Sequence, residues 1–322
     1  MTTTQAPLRS GFSAQTTARE AVGDARLDGR TAIVTGGYAG IGLETTRALV
    51  NAGATVIVPA RTPDKARAAL AGLARVELEA LDLAAPSSID AFAERFVASG
   101  RPLHILVNNA GVMATPFLRD ARGFESQLAT NHLGHFQLAA RLWPALRAAR
   151  GARVVALSSR GHARAGVDFD DPHFERRPYD KWVAYGQAKT ANALFAVALD
   201  ARGAAHDVRA FSVHPGAVMT ELVRSISQEE LAAIRARLAE SPYAAATFYK
   251  NTEQGAATSV WCATSPQLDG KGGVYCEDVD IAEAVPNDFP EPRGVRQWAR
   301  DPGFAERLWK MSEEWTGAAF AA

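Results

Sequence analysis

The stretch "TAIVTGGYAGIGLETT", residues 31–46, decides the fold. Its first four residues are an apolar, β-branched run. Thr35 to Gly42 then packs four glycines into eight residues, and "LETTRALV" reads as the start of a helix. A strand, a glycine-rich turn and a helix N-terminus together form an anion-binding arrangement. Backbone N–H groups and the positive end of the helix point at the ligand, and the missing Cβ atoms let a pyrophosphate approach. The spacing is Gly36-x-x-x-Gly40-x-Gly42 rather than G-x-G-x-x-G. Taken alone, it also suits a strand–helix turn that merely needs positive φ.

The surrounding 322 residues are 47% hydrophobic and 22% charged, with formal net charge +0. That suits one large α/β domain. The neutral balance argues against nucleic acid or an acidic membrane as partner. Two cysteines, Cys262 and Cys276, are too few for a disulfide framework, so a reducing cytoplasm is expected. The first residues carry no apolar signal-like run, and no apolar stretch has the length of a membrane span.

Residues 1–27 read as a polar arm preceding a domain over 28–322. Strand-like runs follow at 31–35, 54–60, 75–81, 103–109, 152–158, 208–213 and 272–276, with helical patterns between them. Near-continuous apolar strands alternating with helices predict a doubly wound, Rossmann-type parallel sheet of seven strands, covered on both faces. The connections 160–184 and 221–250 are long, and long ordered connections tend to be functional.

Motifs recur at the strand ends in a fixed order. They are "LDL" (81–83), "NNAG" (108–111), Asn131, "LSSRGH" (157–162), "YGQAK" (185–189) and "HPGAVMT" (214–220). This series resembles the short-chain dehydrogenase/reductase family over residues 29–315. The phrases "NHLGHFQLAARLWPAL" and "AERLWKMSEEW" resemble the retinol-dehydrogenase-like and WW-domain-containing-oxidoreductase-like subgroup. So do the 25 residues between Ser159 and Tyr185.

The resemblance implies a catalytic set of Asn131, Ser159, Tyr185 and Lys189. Tyr185 and Lys189 share one helical face. Tyr185 is then the acid/base, and Lys189 lowers the phenol pKa and holds the nicotinamide ribose. Ser159 orients the carbonyl oxygen. Strand alternation leaves Ser158 as the other candidate. Asn131 supports a water-linked relay to the lysine. For the coenzyme, the resemblance implies Gly36, Tyr38, Gly40, Ile41 and Gly42 at the pyrophosphate. Asp82 and Leu83 fall at the adenine, and Asn108, Ala110 and Gly111 beside the ribose. Pro215, Gly216, Val218 and Thr220 fall at the nicotinamide, with Tyr185 and Lys189 also touching the coenzyme.

Coenzyme choice turns on the end of the second strand. A carboxylate there binds the ribose 2′-hydroxyl of NAD, whereas an arginine receives the 2′-phosphate of NADP. This chain has Ala60 followed by Arg61, which predicts NADP(H), with NAD(H) as the weaker alternative. Tyr38 and Ala39 add no second cation inside the turn.

Other constellations carry less. His132 and His135 have a metal-like spacing but no third ligand, so no metal is expected. "DFDDPHFE" (168–175) lacks the calcium loop's pattern and reads as a solvated loop. "PYDKWVAY" (178–185) reads equally as substrate wall or core. The expected activity is interconversion of a ketone or aldehyde with its alcohol on a largely apolar substrate. An NAD-dependent alcohol dehydrogenase and a non-catalytic nucleotide-sensing regulator or scaffold are the alternatives. Segment 221–250 is expected to be a lid, with Leu222, Val223, Ile226, Phe248 and Tyr249 over an apolar pocket. By resemblance, a homo-oligomer pairing through the helices of Asn131 and Tyr185 is expected.

Overall fold

The computed structural model describes residues 3–240, 242–243 and 249–320, the side chains of 237 and 238 excepted. Strands β1 (Thr31–Val34), β2 (Thr55–Ala60), β3 (Val76–Ala80), β4 (Ile105–Asn108), β5 (Ala152–Leu157) and β6 (Val208–His214) come in chain order. After them come β7 (Ala217–Val218), β8 (Tyr249–Lys250), β9 (Val274–Glu277), β10 (Asp280–Ile281), β11 (Ala284–Val285) and β12 (Val295–Arg296). The helices are α1 (Ala18–Val22), α2 (Gly40–Asn51), α3 (Pro63–Ala69), α4 (Pro86–Ala98), α5 (Ser126–Leu128), α6 (Gly134–Arg141) and α7 (Trp143–Ala148). They continue with α8 (Lys181–Gly203), α9 (Gln228–Ala239), α10 (Thr252–Thr264) and α11 (Pro302–Thr316).

The main sheet runs β3-β2-β1-β4-β5-β6-β9-β10. Seven strands are parallel, and they are the seven apolar runs of the sequence. The eighth, β10, pairs antiparallel with β9 through Asp280↔Glu277 and Ile281↔Cys276. The seven parallel strands are those expected, and β10 adds a short antiparallel eighth at the edge. Asp278 and Val279, both at positive φ, turn the chain back after β9, and a two-residue strand is too short to leave a periodic signal. Strand order reverses between β1 and β4, which opens a crevice at the carboxyl ends of the strands.

Side chains alternate across the sheet as the pleat requires. Ile33, Leu106 and Val154 bury against α4, α6 and α8, whereas Val34, Val107 and Val155 face α2 and α10. The outer layer on the α8 side is aromatic. Trp309 of α11 stacks on Phe195 at 6.0 Å, with Phe136 edge-on and Phe320 tilted against it. This helix thus covers part of the α6 and α8 surface.

Residues 3–27 lie on the same body. The Gln5 amide bonds Tyr275 through both its N–H and its carbonyl, and reaches the Ala282 carbonyl at 2.7 Å. The Asp280 carboxylate accepts the N–H groups of Leu8 and Ser10. Helix α1 carries a Thr17/Glu20 capping box and buries Ala18 and Ala21 beside α2 and α10. The insertion before α8 is also built. The Asp171 carboxylate collects the N–H groups of Glu175, Arg176 and Arg177, and Gln187 of α8 bonds Asp168 and Pro172. "DFDDPHFE" is therefore a structural turn with Asp171 buried rather than a solvated loop.

Candidate active site

The glycine turn is held from below by Thr35. Its Oγ1 accepts the N–H groups of Asn109 (2.9 Å) and Ala110 (3.0 Å), and the Asn109 amide donates to the Thr35 carbonyl at 2.7 Å. The turn after β1 is thus locked to the turn after β4. Gly36 sits at φ +64°, and a Cβ there would lie 3.2 Å from Ala110. At Gly42 a Cβ would meet the Gly36 carbonyl at 2.3 Å and the Asn109 amide at 2.5 Å. This glycine is therefore needed for α2 to pack against the turn. Gly40, at φ +51°, faces the Thr220 methyl. Ala39 caps α2 without a side-chain hydrogen bond, and the first turn holds no acidic residue. The leading N–H groups of this 12-residue helix are thereby left for an anion.

The other expected coenzyme residues ring the same crevice. Arg61, at the end of β2, is exposed and makes no ion pair among the described residues. Asp82 uses one oxygen on the Ala84 N–H. Leu83 is buried, and its carbonyl lies where a Cβ on Gly134 would be, so Gly134 lets α6 approach it. The Asn108 amide is buried with both polar atoms unpartnered among the described residues. Gly111 leaves room for the Asn131 and Lys189 head groups, since its Cβ would lie 2.9 and 3.6 Å from them. Gly216, after Pro215, sits at φ +94° against the stem of Lys250. Val218 is in β7, and Thr220 Oγ1 accepts the Leu222 N–H. Tyr38 and Ile41 pack partly buried against the α2 side of the core. A glycine cradle, an uncapped helix and an orphaned buried amide together fit a nicotinamide dinucleotide.

The catalytic candidates converge at the end of β5. Ser158 and Ser159 point to opposite faces. Ser158 Oγ donates to the Lys189 carbonyl at 2.7 Å and is spent on structure. Ser159 Oγ accepts the Gly161 N–H at 3.0 Å and borders Gly161 together with the Tyr185 ring. Of the two, Ser159 faces the tyrosine. Gly161 must lack a Cβ, because one would sit 2.9 Å from the Tyr185 ring. Lys189 Nζ donates to the Leu157 carbonyl at 2.9 Å and lies 5.6 Å from the Tyr185 ring centroid.

The electrostatics depart from the expected order of effects. Burial pushes Tyr185 up to about 12, against a smaller lowering from the neighbouring Ser159 hydroxyl. Burial likewise pulls Lys189 down to about 8. The ammonium was expected to depress the phenol. Desolvation outweighs it here, with the ammonium bonded to the Leu157 carbonyl. The phenol is consequently held protonated at neutral pH, in the form that donates a proton.

Asn131 lies in a π-helical turn over Ala129–Leu133. Its amide bonds Val112 in both directions, at 2.9 and 2.8 Å, which leaves its backbone carbonyl to the His135 ring at 3.0 Å. His132 points away, to Ser312 Oγ at 2.8 Å. The two histidines do not converge on one point. Among the described residues no group of three or more candidate ligands could hold a metal. Both cysteines are free and buried.

The expected lid, 221–250, follows directly after Thr220. The turn 221–225 and α9 open it, with Ile226 buried and Leu222 and Val223 half-buried. Tyr249 is half-exposed in β8, and Phe248 lies outside the described residues. Glu230 of α9 accepts from Lys181 Nζ (2.6 Å) and Trp182 Nε1 (3.1 Å) at the start of α8. Tyr179, in "PYDKWVAY", is a packing residue. Its hydroxyl donates to the Thr115 carbonyl and accepts from Gln127, and its ring touches Phe117 and Phe174.

Four residues matter here that the motifs did not single out. Thr35 and Asn109 were inside quoted motifs, and their buried position was the missing signal. His135 was set aside with His132. Lys250 is buried beneath Gly216 with Nζ 2.6 Å from Asp278, a placement no local pattern announces.

Comparison with known proteins agrees with this geometry. The family model described as short chain dehydrogenase matches residues 30–231. A "Probable oxidoreductase" of Streptomyces lividans is 46% identical over 294 residues, covering 89% of this chain and 98% of that protein. Retinol dehydrogenase 12 of Mus musculus is 38% identical, covering 91% and 88%. A solved structure of a putative uncharacterized protein from Mycobacterium paratuberculosis superimposes with TM-score 0.72. It is 31% identical and covers 94% of this chain and 98% of that one. The chain belongs to the short-chain dehydrogenase family of oxidoreductases and shares its retinol-dehydrogenase-like branch.

Proposed function

We propose that this protein is an NADP(H)-dependent oxidoreductase that interconverts a ketone or aldehyde with its alcohol. The observation that carries the reading is the cluster of Ser159 with the buried Tyr185 and Lys189 beside an uncapped glycine turn. When bound, the nicotinamide supplies or accepts the hydride. Tyr185 gives its phenolic proton to the oxygen of the reacting carbonyl, and takes one back in the reverse direction. Ser159 orients that oxygen by a hydrogen bond. Lys189 places a positive charge beside the phenol, and Asn131 borders Gly111 together with that charge. Support for NADP over NAD is the exposed, unpartnered Arg61 at the end of β2, where no carboxylate competes for the ribose.

Support for an apolar substrate is the exposed Met219 and Tyr249 that flank the nicotinamide loop, with 221–250 as the lid. No described helix is long and apolar enough to cross a membrane, and a cytoplasmic setting is part of the proposal. So is self-association, through a surface other than the part of α6 and α8 that α11 covers. The test is steady-state assay of the purified chain against a panel of ketones, aldehydes and alcohols with both coenzymes. Turnover preferring NADPH supports the reading. Coenzyme binding without turnover of any carbonyl or alcohol favours a sensor instead.

A further inference from the structure

His135 is buried at 2% exposure on α6 and touches both halves of the site without reaching either ligand. Its Nδ1 lies 3.0 Å from the Asn131 carbonyl, which can only accept, so Nδ1 carries the ring proton. Its Nε2 lies 2.9 Å from Thr35 Oγ1. That hydroxyl already accepts two N–H groups, from Asn109 and Ala110, and has one hydrogen left to give. The Val107 carbonyl at 3.3 Å is the more distant acceptor, so the hydrogen goes to Nε2. Both ring nitrogens and the Thr35 hydroxyl are then satisfied with one arrangement of protons. The ring must be neutral for this, and it is enclosed in apolar surroundings with the Lys189 charge nearby. Its neighbours Leu133, Phe136 and Leu138 are fully buried, so the ring cannot swing out without opening the core.

We propose that His135 is a positioning residue, a two-ended tether that joins the coenzyme-binding turn at Thr35 to the Asn131 carbonyl of the proton-transfer site. The inference rests on the reading that the Thr35 turn binds the coenzyme and that Asn131 belongs to the proton path. One end of the ring fixes the hydroxyl that shapes the glycine turn and the Asn109–Ala110 turn together. The other end fixes the carbonyl of the π-helical turn. A shift of the coenzyme turn is therefore felt at Asn131.

Two conservative variants separate the ends. Asn at 135 keeps a donor near the Nδ1 position and loses the reach to Thr35. Gln keeps the reach to Thr35 and loses the near donor. His135→Asn should weaken NADPH binding about tenfold, the scale of one unmade hydrogen bond, with kcat at saturation nearly unchanged. His135→Gln should leave the NADPH dissociation constant nearly unchanged and lower kcat about tenfold. A residue that only fills space predicts instead that both variants lower both quantities together, in step with the loss of Tm, and that pattern overturns the proposal. The wild-type chain gives an independent check by nitrogen-15 NMR of the ring. A neutral imidazole protonated at Nδ1 is the expected result, and protonation at Nε2 or a charged ring overturns the proposal. A wild type that binds no coenzyme overturns the underlying site reading instead, whatever the tautomer.

Discussion

Acid should unfold this protein before most of its carboxylates are protonated. Four enclosed histidines are neutral in the native state because burial disfavours the imidazolium. His132 is pulled down to about 3, His135 and His162 to about 4, and His214 well below the ordinary value. Their unfolded value is 6.5. A base depressed on folding contributes stability that is complete above its unfolded pKa and is lost as pH falls toward its folded one. Two carboxyls act in the opposite sense. Burial raises Glu125 and pushes Glu277 up to about 7, so the native state binds their protons first and gains stability as pH falls toward the unfolded 4.5. The histidines outnumber the two carboxyls, so between pH 6.5 and 4.5 unfolding takes up protons on balance, and each proton of net uptake corresponds to about 1.4 kcal/mol per pH unit. His173, also pulled to about 4, steepens the slope. The assay is urea unfolding at several pH values across this window, with the midpoint falling steadily. His132→Gln, which replaces a ring that bonds Ser312 beside Asn192, should remove about one proton from the slope. A midpoint that stays flat from pH 6.5 to 4.5 would refute the reasoning.

Further outcomes follow from the site. Arg61→Ala should weaken NADPH about ten- to a hundredfold and leave NADH nearly untouched, because one charge-assisted phosphate contact is worth about 1.5–3 kcal/mol; equal weakening on titration would contradict the assignment. Gly42→Ala forces a Cβ to within 2.3 Å of the Gly36 carbonyl, so it should cost about 1–3 kcal/mol of stability, read from the urea midpoint, and abolish tight coenzyme binding. Lys189, pulled down to about 8, is charged below that pH and neutral above it. Carbonyl reduction should therefore decline as pH rises past about 8, and the limb should move upward in Lys189→Arg. Glu230→Gln breaks the tie between α9 and Lys181 and should raise the substrate KM a few-fold with the coenzyme constant unchanged, since partly exposed pairs contribute up to about 1 kcal/mol.

The parallel sheet was legible because its strands alternate with helices and most are buried apolar runs, several with a motif at the carboxyl end. The glycine turn, Ser159, Tyr185 and Lys189 were legible for the same reason, since local spacing and strand ends carry them. Ser159 over Ser158 needed only the alternation of a strand. What escaped depends on contacts between distant residues. Gln5 pairs with Tyr275, 270 positions away, so residues 3–27 looked like a loose arm. Asp171 reads as one acid among three until its three backbone N–H partners are seen. His135 looked like half of a metal pair because helical spacing records which face a ring occupies, not which hydroxyl waits across the core. The burial that pushes the phenol pKa up has no local signature in the sequence.

The central claim is that Tyr185 supplies the proton to a carbonyl reduced by NADPH. Removing one hydroxyl from a buried ring changes little volume, so Tyr185→Phe should fold, melt near the wild-type temperature and titrate with NADPH as the wild type does. The most direct measurement is single-turnover oxidation of enzyme-bound NADPH by a carbonyl that the wild type reduces, followed by absorbance. The account predicts a rate at least a hundredfold slower in Tyr185→Phe, within the range of general-acid contributions. A wild-type rate in a variant that binds NADPH normally would contradict it.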